Sequence, residues 1–213
     1  MPESKPADRG LTKEHPSAAG NDSTRDIPAA GRRRPHRDLP GSRRHRLHSS
    51  MERLIELDGA LLERVVRVRS RPVTLLLRAL CRAHDPDILA MLIAVLVFCG
   101  PTASRIATYI GAALISTSLV VVLFKRTVRR ARPAGEFQAL APPDRFSFPS
   151  GHTAGAFALA ISMFGAYPSL APALVLVAVV VGWARMYLGV HYPIDVLAGV
   201  CIGVFTGSVV ALW

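Results

Sequence analysis

Three short stretches concentrate the residues able to do chemistry. Lys125 precedes Arg132 and Pro133 in "KRTVRRARP", Pro149, Ser150, Gly151 and His152 follow as "PSGH", and Arg185, His191 and Asp195 lie in "ARMYLGVHYPID". Together they offer three cations, two imidazoles and one carboxylate. Ser150 is a good N-cap for the apolar helix that follows it. The first N–H groups of that helix, with the positive end of its dipole, make a ready anion site, and Gly151 lets an anion approach the backbone closely. His191 and Asp195 are four apart, within reach across one helical turn, so the carboxylate can fix the imidazole tautomer and raise its basicity. Cations plus N–H donors suit a tetrahedral dianion. A basic imidazole suits attack on phosphorus, and a second suits protonation of a departing oxygen. The set points to phosphoryl transfer by positioning and charge stabilisation, with no metal and no cofactor expected.

Each element alone has an ordinary role. Lys and Arg beside an apolar span anchor it at the membrane face, a histidine at a helix end caps or packs, and Ser-Gly at a helix start is usually a cap. The elements that position them decide the matter. The formal net charge is +11 although half of the 213 residues are hydrophobic. The two populations separate: residues 1–50 carry 11 of the 26 Lys and Arg, and beyond His152 the only ionised groups are Arg185 and Asp195. The polar, proline-rich stretch 1–50 is expected to be a disordered basic tail, read as a solvated extension, with translation from Met51 as an alternative and no signal peptide visible. Residues 51–86 read as amphipathic interfacial helices, with Leu54, Leu57, Leu61, Val65 and Val68 on one stripe and "RP" at 71–72 breaking it. Residues 87–213 read as the membrane domain. The uncharged runs 88–104, 106–124, 153–184 (split by "YPSLAP") and 196–213 give five spans, six if the 55–82 region also crosses. The fold class is therefore all-α: a multi-pass transmembrane helical bundle. Its two polar connections, 125–152 and 185–195, fall on one face, where Lys125 and Arg132 point the same way if their helix continues to Pro133. Cys81, Cys99 and Cys201 have neither zinc nor disulfide spacing and are read as small packing residues.

The joint pattern Lys-x6-Arg-Pro, Pro-Ser-Gly-His and Arg-x5-His-x3-Asp resembles the three-part motif of the type 2 phosphatidic acid phosphatase (PAP2) superfamily. The resemblance implies that His191 is the nucleophile and forms a phosphohistidine, and that His152 protonates the leaving alkoxide and then activates water. Asp195 would orient His191. Lys125, Arg132 and Arg185 would hold phosphate oxygens, with Ser150 and Gly151 donating hydrogen bonds. One position departs from the pattern: Ala184 stands where the family has serine, which removes a hydroxyl but no catalytic group. Arg126, Arg129, Arg130 and Arg145 match no motif position and are read as headgroup-facing or solvated. The expected activity is that of a membrane lipid phosphatase, with a polyprenyl phosphate favoured over phosphatidate or phosphatidylglycerophosphate. The expected partners are the lipid substrate and surrounding membrane lipids, not nucleic acid. A non-catalytic membrane protein with a basic binding tail is the rival reading. Five spans would put tail and site together on the cytoplasmic face by the positive-inside rule. Six would put the site outside, the extracytoplasmic placement that the resemblance implies.

Overall fold

The computed structural model describes residues 43–142 and 144–212. Among them are seven α-helices: α1 (Arg43–Arg67), α2 (Arg71–Ala83), α3 (Pro86–Phe98), α4 (Pro101–Val128), α5 (Gly151–Ala166), α6 (Ala171–Tyr187) and α7 (Pro193–Ala211). A short 3₁₀ turn spans Gly135–Phe137, and the one β-pairing among the described residues is an isolated antiparallel bridge between Ala131 and Phe146. Proline opens α2, α3, α4, α6 and α7 within the first two positions, where its missing N–H costs nothing.

The tightest packing joins α5 to α7. Gly199, Gly203 and Gly207 repeat every fourth residue and bring the backbone of α7 against α5. A Cβ at Gly207 would lie 2.6 Å from the Ala158 carbonyl oxygen, and one at Gly203 would overlap that of Ala154. Small residues at this spacing let two helices approach without side chains between them. Helices α6 and α4 flank the pair, with Ala178 and Val181 of α6 packing on Ala156, Phe157 and Ala160 of α5.

Two helices, α4 and α7, are long and apolar enough to cross a membrane, and α3 and α6 are shorter apolar helices. Only 28% and 39% of the most apolar stretches of α4 and α7 are buried. Exposed Leu123 and Phe124 on α4, with Leu197 and Phe205 on α7, present apolar side chains outward, which suits helices standing in lipid rather than the core of a water-soluble bundle.

Several boundaries differ from the sequence expectation. Helix α1 begins at Arg43, inside the stretch expected to be tail; the rest of that expectation lies outside the described residues. The break between the first two apolar runs falls at Cys99 and Gly100, so "PTAS" belongs to α4. Helix α4 does not continue to Pro133. It ends at Val128, where Arg129 adopts a left-handed conformation (φ 51°), and Arg130–Arg132 follow as extended chain. The α1 stripe faces outward: Leu54, Leu57, Leu61 and Val68 are exposed, while Asp58 and Leu62 are buried and Val65 packs inward. An ion pair made by Asp58 decides which side of α1 is turned in. Of the three cysteines, all free, Cys81 packs in the core and Cys99 and Cys201 are exposed.

Helix α2 lies across the end of the bundle. Leu77 and Cys81 pack on Ala184, Tyr187, Leu188 and Val190. The Ser70 N–H before α2 donates to the Tyr187 hydroxyl at 2.6 Å, and Asp85 after it reaches the start of α5.

Candidate active site

Lys125 comes from the last turn of α4, His152 from the first turn of α5, Arg185 from the last turn of α6, and Asp195 from the first turn of α7. Alternating helix direction brings these ends to one side. Arg132 and His191 come from the connections beside them. Gly189, with φ +70°, turns the chain after α6 so that His191 returns beside Arg185.

Arg132 and Lys125 meet through Asp144, not through helical periodicity. The Asp144 carboxylate accepts from Lys125 Nζ at 3.0 and 2.9 Å and from Arg132 Nη2 at 2.8 Å, and its carbonyl accepts from Arg132 Nε at 2.8 Å. Lys125 also donates to the Phe146 carbonyl at 2.9 Å. Burial favours the neutral form of the Asp144 carboxyl, but Lys125 and then Arg132 outweigh it and hold the group below the usual carboxylate range.

His191 is 2% exposed. Its Nε2 lies 3.2 Å from Arg132 Nη1, which also donates to the Val190 carbonyl at 2.8 Å. Its Nδ1 lies 3.7 Å from Asp195 Oδ2, in ion-pair range but short of a hydrogen bond. Asp195 is itself held by Arg130 Nη1 on Oδ1 at 2.8 Å and by the Tyr192 N–H on Oδ2 at 2.9 Å. Burial pushes the His191 imidazolium pKa down to about 3, with the Arg185 and Arg132 cations adding to burial and Asp195 opposing it, so the ring is neutral at physiological pH.

Arg130 is not headgroup-facing or solvated as its lack of a motif suggested. It lies over the Tyr192 ring at 4.1 Å and bridges Asp195 to Asp58 of α1, 2.5 Å from Asp58 Oδ2. Asp58 Oδ1 accepts from the Ile194 N–H at 2.9 Å. This chain of charges ties α1 and α7 to the connection after α4. Arg126, Arg129 and Arg145 are exposed.

Ser150 occupies the N-cap position, but its hydroxyl pairs with the Thr153 hydroxyl at 2.8 Å instead of capping the helix, and its N–H donates to the Asp195 carbonyl at 3.0 Å. It is fully buried behind the cavity wall. Gly151, the next residue, is on the wall. The first-turn N–H groups of α5 are thereby left without a side-chain cap.

A cavity of about 740 Å³ opens onto these groups. Its polar end holds Lys125, Arg132, Arg185, His152 and His191. Its long wall is apolar, from Leu89 and Ile93 of α3 and Leu114, Ile115 and Val121 of α4. Arg185 is 1% exposed, and its Nε and Nη2 have no hydrogen-bond partner among the described residues. Buried N–H donors without acceptors are costly, and Arg185 lines the cavity, where an anion would pair with them. His152 reaches a carboxylate that sequence reasoning did not single out: its Nε2 lies 2.8 Å from Asp85 Oδ1. Among the described residues no group of three or more His, Cys, Asp or Glu is placed to hold a metal ion.

The chain resembles proteins of one kind. It is 39% identical over 104 residues to decaprenylphosphoryl-5-phosphoribose phosphatase of Mycobacterium tuberculosis, covering 47% of this chain and 56% of that one. It is 33% identical over 119 residues to lipid A 1-phosphatase of Rhizobium johnstonii, covering 51% and 48%. It thus spans about half the length of these curated relatives. The crystal structure of Aquifex aeolicus LpxE superimposes with a TM-score of 0.63 at 26% identity, over 74% of this chain and 96% of that one. The Bacillus subtilis transmembrane PAP2-type phosphatidylglycerolphosphate phosphatase shares the fold, with a TM-score of 0.61 at 24% identity over 74% and 84%. A family model matches residues 106–213, which contain Lys125, Arg132, His152, Arg185, His191 and Asp195, and with them the chain belongs to the PAP2 superfamily.

Proposed function

We propose that the protein is an integral membrane phosphatase that removes phosphate from a lipid phosphomonoester or pyrophosphate through a phosphohistidine. The observation that carries this reading is the buried Arg185 guanidinium, whose Nε and Nη2 have no hydrogen-bond partner among the described residues, at the polar end of a cavity whose wall is apolar. A phosphate seated there pairs with Arg185 and with the open N–H groups at the start of α5, while the lipid chain lies against α3 and α4. Phosphate entering further displaces the Asp144 carboxylate, which is 44% exposed, and takes over Lys125 and Arg132.

The steps follow from the donor arrangement. His191 Nε2 attacks phosphorus as the ester P–O bond breaks, and His152 gives a proton to the departing oxygen. Arg132, Lys125 and Arg185 stabilise the charge on the transferring group. His152 then takes a proton from water, the oxygen attacks phosphorus, and the P–N bond breaks to restore His191 and release inorganic phosphate. Ser150 supports this arrangement from behind, through Asp195 and Thr153, and Gly151 supplies the backbone donor.

Similarity to the mycobacterial decaprenylphosphoryl-5-phosphoribose phosphatase supports a polyprenyl phosphate as substrate. In this reading α3–α7 are the five spans. The 13 residues of α3 reach about 20 Å, so the bilayer thins or the chain ends snorkel there. The tail remains a solvated extension; five spans put it on the same face as the site, cytoplasmic by the positive-inside rule, and the extracytoplasmic site that the resemblance implies needs the 55–82 region to cross as a sixth. Cysteine-accessibility labelling between residues 134 and 142 tests the side. Phosphate release by purified protein, from polyprenyl phosphates and diphosphates and from phosphatidate and phosphatidylglycerophosphate, tests the activity. Release from a polyprenyl substrate, lost in His191→Ala, is expected; release from none of them contradicts the reading.

A further inference from the structure

We propose that Asp85 is a positioning residue for His152, completing a second histidine–carboxylate pair in the site; the inference rests on the phosphatase reading above. Asp85 lies in the turn between α2 and α3, outside the residues that the family model matches, yet it lines the same cavity as the two histidines. Its Oδ1 is 2.8 Å from His152 Nε2. Its Oδ2 accepts from Arg82 Nη1 at 2.8 Å, and Arg82 is braced in turn by Asp87 at 2.6 Å. The Asp85 N–H donates to the Arg82 carbonyl at 3.1 Å. The carboxylate is thus held in place from its own side of the cavity, with one oxygen aimed at the ring.

The chemistry asks for such a group. As general acid, His152 must carry two protons and deliver one. The polar end of the cavity already holds Lys125, Arg132 and Arg185, so an imidazolium formed there without a carboxylate would sit among like charges. Asp85 accepts a hydrogen bond from Nε2–H, fixes the ring's orientation and offsets the charge. Among the described residues nothing bonds His152 Nδ1, which is left for the substrate. In the first step the Nδ1 proton passes to the ester oxygen as its bond to phosphorus breaks. In the second a proton from water returns to Nδ1. Asp85 keeps its charge throughout and exchanges no proton with substrate, so it acts through His152 alone. It differs from Asp195, which lies within the matched motif and serves His191.

First-turnover release of the leaving group separates this role from a merely structural one. Two substrates are compared: an alkyl lipid phosphate, whose alkoxide must be protonated to leave, and p-nitrophenyl phosphate, whose phenolate leaves without a proton. Asp85→Asn is expected to slow alkyl release by about 100-fold, the size of a general-acid contribution, and p-nitrophenolate release by less than about threefold. In a His152→Ala background Asp85→Asn is expected to cost nothing further. Equal loss on both substrates, loss on neither, or an added loss in the His152→Ala background overturns the role of Asp85 while leaving the phosphatase reading intact. Wild-type protein that acts on neither substrate overturns the phosphatase reading and the role together.

Discussion

Arg132 Nη1 lies 3.2 Å from His191 Nε2, and that contact fixes the tautomer of the imidazole. A guanidinium can only donate, so Nε2 must accept, and the ring proton sits on Nδ1, facing Asp195 at 3.7 Å. The lone pair that would attack phosphorus is therefore presented on the side of the cation that would bind it. Asp195→Asn keeps the shape but lets the amide donate toward Nδ1, which favours the wrong tautomer. We expect kcat to fall by about 100-fold or more, with KM changed little, because the loss is of orientation and not of substrate contact. Steady-state kinetics check this; a rise in KM with unchanged kcat would contradict it.

The same burial that keeps His191 neutral makes stability pH-dependent. Its folded pKa, about 3, lies below the ordinary 6.5. The stability tied to its neutral form is full above about pH 6.5 and is lost as pH falls toward the folded value. The expected loss approaches about 1.4 kcal/mol per pH unit below 6. His191→Gln removes this contribution, so wild-type protein should lose more stability than the variant between pH 7 and pH 5. Denaturant unfolding in detergent measures the difference, and parallel pH curves would count against a neutral, buried ring.

Asp58 binds Arg130 and the Ile194 N–H from the buried side of α1. Removing one member of such a pair strands the other. Asp58→Ala should cost about 3 kcal/mol, a fall of about 10 °C in Tm. Arg130→Ala should cost a similar amount, and the double variant much less than the sum. Thermal melts of the four proteins decide the matter; additive losses would mean that the two residues act independently.

Asp144 holds Lys125 and Arg132 in the absence of substrate and must give way to phosphate. Asp144→Asn removes the competing charge but keeps the loop. Orthovanadate, a phosphate mimic, should bind about fivefold tighter, matching roughly 1 kcal/mol for a charge at this distance in a well-hydrated site. Inhibition constants test this, and weaker binding would show that the carboxylate serves to preorganise the cations.

The parts of the fold written in local pattern were legible. "YPSLAP" divides α5 from α6, Pro193 opens α7, and His191, just before α7, lies 3.7 Å from Asp195 in its first turn. Lys125 and Arg132 converge as expected, but for another reason: α4 stops at Val128, and the loop from Ala131 to Phe146 folds back to present Asp144. The groups that sequence reading passed over are those with distant partners. Asp85 and His152 are 67 residues apart, Arg130 is 65 from Asp195 and 72 from Asp58. No spacing rule reaches that far. No local signal marks Asp58, one of four carboxylates between residues 51 and 67 beside an apolar stripe. Its leucines face outward, and the ion pair determines the packed side of α1.

The central claim is that His191 carries the phosphoryl group. Incubating the protein with a lipid phosphate labelled with ³²P on its phosphoryl group, then quenching in alkali, tests it most directly, since phosphohistidine survives base and hydrolyses in acid. The account predicts a base-stable, acid-labile label on wild-type protein, more of it in His152→Ala if water attack is slowed more than its formation, and none in His191→Ala. Label retained in His191→Ala, or phosphate released at the wild-type rate by that variant, would contradict it.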